Sequence, residues 1–149
     1  MSSAIGSITF DCADPFKLAQ FWSQVVQWPL GEQPGPEDIE VGLAPPDGHP
    51  MLLFIRVPEE KSGKNRLHLD VVPQDRTRDD EVERLLDLGA RVVDDRRRPD
   101  GAGWAVLADP EGNEFCVEWG PVDSRNRKAA RAAAAAAADD GEPAARAGV

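Results

Sequence analysis

Residues 103–120 read GWAVLADPEGNEFCVEWG. Two apolar runs flank Asp109-Pro110-Glu111-Gly112. Proline presets φ in such a turn and glycine accepts its left-handed corner. The runs at 103–109 and 113–119 have strand length and strand composition. Upstream, residues 91–95 pair with 103–109 across the Pro99-Asp100-Gly101 turn. Before them, residues 78–88 read as a helix burying Val82, Leu85 and Leu86, with Gly89 ending it. Earlier still, Leu67, Leu69 and Val71 alternate with Arg66, His68 and Asp70, the period of a strand with one apolar face.

The first half repeats this order of strand, helix and three strands. Ile8, Phe10 and Cys12 alternate with Ser7, Thr9 and Asp11 over residues 5–12. Asp14-Pro15 supplies an N-cap and a first-turn proline. The helix spans 16–28 and buries Leu18, Phe21, Trp22, Val25 and Val26. Short strands at 30–33 and 38–43 surround Pro34-Gly35-Pro36, and a last strand runs from Met51 to Val57. Ser7-Ile-Thr-Phe-Asp11 aligns with Arg66-Leu-His-Leu-Asp70, and Asp47-Gly-His-Pro-Met51 with Glu111-Gly-Asn-Glu-Phe115. The expectation is an α+β fold of two βαβββ modules, about 1–60 and 64–121. Residues 122–149, with seven consecutive alanines, lack an apolar stripe and read as a mobile tail, helical in part.

Composition narrows the function. The 149 residues are 41% hydrophobic, enough for a core, and carry a formal charge of −10. Such acidity repels phosphate backbones, so nucleic acid is not an expected partner. No apolar run approaches the roughly 20 residues of a membrane helix, which excludes that partner too. Two cysteines and no secretion signal point to the cytoplasm.

The segments SITFDCADPFKLAQFWSQVVQWPL, RLHLDVV, EVERLLDLGARVV and GWAVLADPEGNEFCVEWG together resemble the glyoxalase/bleomycin-resistance/dioxygenase superfamily, known as the vicinal oxygen chelate superfamily, and within it the glyoxalase-like domain subfamily of bacteria. The resemblance covers about residues 3–121. It implies paired modules whose sheets curl around a shared pocket, and frequent dimerisation; the sequence leaves monomer and homodimer both open. It also implies metal ligands on the first and last strands of each module. Those positions fall on Ser7, Leu52, Arg66 and Cys116. These residue types do not make an oxygen/nitrogen site for a divalent ion. A register one step different brings His68 or Glu118 nearby and is not expected to assemble three ligands. The expectation is a pocket without metal or other cofactor.

Strand alternation places Ser7, Thr9, Asp11, Arg66, His68, Asp70, Glu114, Cys116 and Glu118 on the pocket side, with Leu52, Phe54 and Arg56 from the fourth strand. His68 is the candidate acid/base, with Asp70 or Asp11 orienting its imidazole and raising its pKa. Arg66 or Arg56 is suited to a carboxylate, enolate or phosphate. Thr9, Asp11, Cys116, Glu118 and Trp104 complete the candidate binding set, Trp104 as an aromatic lid beside Gly101-Ala102-Gly103. A structural reading stands beside each: His68 and Asp70 as a register-fixing pair, and Cys116 and Trp104 as packing residues. Two functions follow, and the missing ligands count against a third, a metal-dependent lyase or dioxygenase. One is a lyase or isomerase acting on a small polar metabolite through His68. The other is a non-catalytic protein that sequesters a drug or metabolite, as the bleomycin-resistance type does.

Overall fold

The computed structural model describes residues 2–139. Strand β1 (Ser7–Cys12) leads into helix α1 (Pro15–Val26), followed by β2 (Glu40–Leu43) and β3 (Met51–Arg56). The second half holds β4 (Asp70–Val71), α2 (Arg78–Asp87), β5 (Arg91–Asp95), β6 (Ala105–Ala108) and β7 (Glu114–Val117); helix α3 (Pro121–Asp139) closes the series. The architecture is α+β with two mixed sheets, ordered β1-β3-β2 and β4-β7-β6-β5. In both sheets the module's first strand lies parallel to its last, β1 beside β3 and β4 beside β7. The remaining pairings are antiparallel.

The helices form where caps and apolar spacing agree. The Asp14 side chain accepts the Lys17 N–H at 3.1 Å, and Pro15 needs no partner at the first position. Leu18, Trp22 and Val25 then fall on one face and are buried. Gln27, at φ 60°, ends the helix. Thr77 caps α2 by accepting the Asp80 N–H, and three acids occupy its positive first turn. Phe10, Trp22, Phe54 and Phe115 meet between α1 and both sheets, with centroid separations of 5.1–5.3 Å between Phe10 and Trp22, Phe10 and Phe54, and Trp22 and Phe115.

The turn at 109–112 ties the second half to the first. Asp109 is fully buried, and its carboxylate accepts four N–H groups. One comes from the Trp22 indole on α1, at 3.1 Å. Glu111 accepts the backbone N–H groups of Ala13 and Asp14, at 2.7 and 2.8 Å, so one carboxylate holds the entrance to α1. A turn motif that serves its own hairpin thereby also docks the two halves.

Several expectations need correction. The strand anticipated at 30–33 is reduced to a single bridge, Leu30 to Leu43, because Gly31 and the proline-flanked segment after it cannot sustain a ladder. The strand anticipated at 66–72 pairs only at Asp70–Val71. Asn65 turns its backbone N–H to the Glu114 carboxylate and its amide to Asn113, and the chain bends at Arg66 and Leu67. Leu67, on the apolar face of that pattern, is consequently 68% exposed. On β3 the face is reversed. Thr9 pairs with Leu53 and Asp11 with Ile55, so Leu52, Phe54 and Arg56 share the helix side with Ile8, Phe10 and Cys12. Aligning the halves at Asp11 and Asp70 sets Ile55, not Leu52, against Cys116, an odd shift that turns every side chain over.

Of the alanine-rich stretch, α3 covers the residues up to Asp139 and the rest lies outside the described residues. Its start is held by the Asp123 carboxylate, which accepts the N–H groups of Arg78 and Gly120. Trp119 is 44% exposed, with the Arg127 guanidinium 5.3 Å above its ring. Among the described residues no helix is long and apolar enough to cross a membrane.

Candidate functional site

The outer edges of β1 and β4 face each other without a ladder between them, so the two sheets stay separate. The bend at Arg66 and Leu67 widens this seam into a cavity of about 270 Å³. Its apolar wall comes from Ile8, Phe10, Trp22, Leu69 and Phe115, with Leu67 at the mouth. The Trp22 N–H is already donated to Asp109, so the indole offers the cavity carbon surface without an unmet donor. Thr9, Asp11, Arg66, His68, Asn65, Asn113 and Glu114 supply its polar rim.

Four of the sequence-derived site residues therefore line one cavity: Thr9, Asp11, Arg66 and His68. Among the described residues neither Asp11 nor Arg66 forms an ion pair, although the Arg66 Nε–H donates to the Lys64 carbonyl at 3.3 Å. Glu114 differs, because it accepts the Asn65 N–H and pairs with Lys61 at 3.3 Å. That N–H, with Lys61 behind it, holds the Glu114 carboxyl below the usual range.

Beside the cavity stands a second group. The His68 Nε2 lies 3.4 Å from the Asp70 Oδ1, with both side chains about half exposed. Asp70 is the ladder partner of Cys116, which sets their side chains on one face. Donor atoms of His68, Asp70 and Cys116 all lie within 4.8 Å of one another. Burial, then the Asp70 charge and its hydrogen bond to the thiol, push Cys116 up to about 11. Against a reference of 9.0, that leaves about a hundredfold less thiolate at neutral pH. Cys116 is thus not an activated nucleophile. Burial, followed by the Asp70 charge, also raises the Glu118 carboxyl.

Two sequence-derived candidates stand apart. Arg56 lies on the helix side of β3, where its Nη2 donates to the Pro36 carbonyl at 3.1 Å. Trp104 precedes β6 and stacks under the Arg96 guanidinium at 5.7 Å, outside the cavity lining. The loop before it is set by Arg78, 3% exposed, whose Nη1 reaches the carbonyls of Gly101, Ala102 and Gly103. Sequence reasoning did not single out Trp22, Asn65 or Asn113 as cavity residues. Trp22 reads from sequence as core, which it also is, and the asparagines matter only because the strand at 66–72 fails to extend.

The metal positions implied by the resemblance do not fit an ion. Leu52 is buried in the core and has no donor, Arg66 is a cation, and Ser7 lies two residues before Thr9 without a carboxylate or imidazole partner on its strand's face except Asp11. His68, Asp70 and Cys116 nonetheless bring three possible donors together. These three converge because β4 pairs parallel to β7 at Asp70 and Cys116, a register that alternation alone does not reveal.

Comparison with known proteins places this geometry in a wider group. A family model described as glyoxalase-like domain matches residues 7–118. The sequence has no significant match among curated proteins. Among solved structures, the chain is similar to a glyoxalase/bleomycin resistance protein/dioxygenase family enzyme from Burkholderia phytofirmans, with 20% identity and a TM-score of 0.62 over 79% of this chain and 98% of that one. It is also similar to the fosfomycin resistance protein FosX from Mesorhizobium loti, at 17% identity and TM-score 0.60, covering 84% and 98%. TnmS3, an antibiotic binding protein from a Streptomyces species, shares 24% identity at TM-score 0.56, covering 80% and 97%. At these identities the likeness is one of fold.

Proposed function

The chain belongs to the glyoxalase-like domain family, and on that premise we propose that it binds a small molecule with an apolar part and a polar end in the seam between its sheets, His68 serving as acid/base in a lyase or isomerase step. The observation that carries this reading is the cavity of about 270 Å³ with carbon on one wall and His68, Arg66 and Asp11 on its rim. A pocket of mainly apolar lining with few convergent polar groups is the usual form of a small-molecule site. Asp70, 3.4 Å from the His68 Nε2, orients the imidazole, and Arg66 carries a guanidinium that no carboxylate neutralises among the described residues. That combination suits proton transfer beside a carbonyl or carboxylate whose developing negative charge the arginine meets. The thiol of Cys116 takes no covalent part, since burial and Asp70 hold it protonated.

The apolar wall supports a second reading, sequestration without chemistry. Phe10, Trp22 and Phe115 give stacking surface that a proton transfer does not require. Among the solved structures of this fold, TnmS3 is described as an antibiotic binding protein. The two readings separate at His68. In chelator-treated protein, small aromatic and aliphatic carboxylates and amines are screened by calorimetry and by tryptophan emission, and each binder is assayed for turnover. His68→Asn abolishes turnover but leaves affinity within a few-fold if the residue is an acid/base. Binding without turnover in the wild type favours sequestration. No binder perturbing Trp22 emission across the screen would overturn both.

A further inference from the structure

Hydrogen bonding on the rim of the seam cavity has a direction, and it is set by a buried carboxylate. Asp109 accepts the Asn113 Nδ2–H at 2.9 Å. A carboxylate only accepts, so Asn113 has to turn its NH₂ toward Asp109 and its carbonyl away. That carbonyl accepts the Asn65 Nδ2–H at 3.3 Å. Asn65 therefore keeps its Oδ1, which accepts nothing else among the described residues, as an acceptor in the cavity lining. The same Asp109 holds the Trp22 indole, so one buried group orients both the apolar wall and part of the rim.

Two opposite charges share the rim with this acceptor. Asp11 lines the cavity and also the depression beside it, where Glu59, Glu60 and Glu111 add negative charge. Lys61, the cation of that depression, is already engaged by Glu114 at 3.3 Å and by the Gly63 carbonyl at 2.6 Å. The Asp11 side of the rim thus attracts a cation. Arg66 brings the other sign. Its Nε–H goes to the Lys64 carbonyl, and its two terminal nitrogens remain for a carboxylate. Asp11 and Arg66 line one cavity without pairing with each other. A monoanion meets Arg66 and is repelled by Asp11, and a monocation does the reverse. A ligand that carries both charges meets both.

We propose that the cavity takes an amino acid with an aromatic side chain. The ring lies against Phe10, Trp22 and Phe115, the ammonium donates to Asp11 and the Asn65 Oδ1, and the carboxylate meets Arg66. This rests on the reading that the seam is the ligand site, and it replaces one polar end by two opposite charges. A free amino group is required. An N-acylated amino acid carries no cation for Asp11 and is disfavoured.

Calorimetry on the full-length protein at neutral pH tests it with three probes: phenylalanine, 3-phenylpropionate, which lacks the amine, and phenethylamine, which lacks the carboxylate. Phenylalanine should bind at one equivalent and perturb tryptophan emission. Each truncated probe should bind about 10-fold more weakly or worse, the least that a charge-assisted hydrogen bond contributes. Asp11→Asn and Asn65→Ala should weaken phenylalanine and phenethylamine while sparing 3-phenylpropionate. Arg66→Gln should weaken phenylalanine and 3-phenylpropionate while sparing phenethylamine. Thermal melts confirm that each variant is folded. A truncated probe binding as tightly as phenylalanine overturns the proposal, as does an equal loss of all three probes in every folded variant. Failure of phenylalanine and tryptophan to bind overturns it too. If a singly charged or neutral compound then still perturbs Trp22 emission, the seam remains the ligand site and only the amino-acid assignment falls; if no compound binds, both fall.

Discussion

Replacing Asp109 by asparagine changes one atom and should unfold much of what holds the two halves together. The carboxylate has no solvent exposure and meets four donors. Its Oδ1 accepts the backbone N–H groups of Glu111 at 3.0 Å and Asn113 at 2.9 Å. Its Oδ2 accepts the Trp22 Nε1–H at 3.1 Å and the Asn113 Nδ2–H at 2.9 Å. A carboxylate has acceptors only, so all four are satisfied. An amide turned either way points an NH₂ group at two of these donors. Two hydrogen bonds are lost and two buried N–H groups are orphaned, each at a cost of about 1–3 kcal/mol. Relief of the burial penalty on the charge offsets part of this, leaving a net loss of about 3 kcal/mol. For a chain of this size that lowers Tm by about 10 °C. Urea unfolding followed by tryptophan emission gives the free energy and a thermal melt gives the Tm, with Trp22 reporting the loss of its acceptor. Burial raises the Asp109 carboxyl above its ordinary value, so its proton linkage favours the fold below the unfolded-state pKa and is lost as pH rises through the folded one. The asparagine variant should lack that part of the pH profile. A destabilisation under about 0.5 kcal/mol, the range of an unremarkable surface substitution, with unchanged Trp22 emission, would refute the reasoning.

Three other outcomes are expected. Cys116 in the metal-free protein should react with iodoacetamide about a hundredfold more slowly than an unperturbed thiol at the same pH, its rate rising toward about 11, as mass spectrometry of the alkylated peptide can show; a rate equal to that of a free thiol would mean the site is open and activated. Gly103→Ala should cost at least about 2 kcal/mol in thermal unfolding, because φ is +82° and the added Cβ would collide with the Arg96 carbonyl. Arg78→Ala should cost about 2–4 kcal/mol and speed hydrogen exchange at 101–104, since three loop carbonyls share its guanidinium; Arg78→Lys, lacking the planar fork, should recover only part.

Much of the fold is written in local chemistry. Period-two alternation at β1, the Asp14-Pro15 cap, the Leu18–Trp22–Val25 stripe and the Asp109–Gly112 turn each depend on neighbours a few residues away, so the α+β class and most element positions could be read directly. The ordered motifs resembling the glyoxalase-like domain extend the same information to the whole body, and the family match over residues 7–118 agrees. His68 and Asp70 could be paired from sequence because they lie two residues apart.

Tertiary structure decided what depends on register between distant segments. Alternation defines two faces for β3 and says nothing of which faces the helices; the pairing of Asp11 with Ile55 turned Arg56 away from the cavity. The strand pattern at 66–72 is regular, yet Asn65 finds a better acceptor in Glu114, 49 residues away, and the resulting bend opens the cavity. Cys116 joins His68 and Asp70 for the same reason: a parallel pairing sets position 116 beside position 70. Local sequence specifies which way a side chain alternates, because that is a property of one strand's backbone. Which neighbour it meets is a property of two strands, and only their packing selects it.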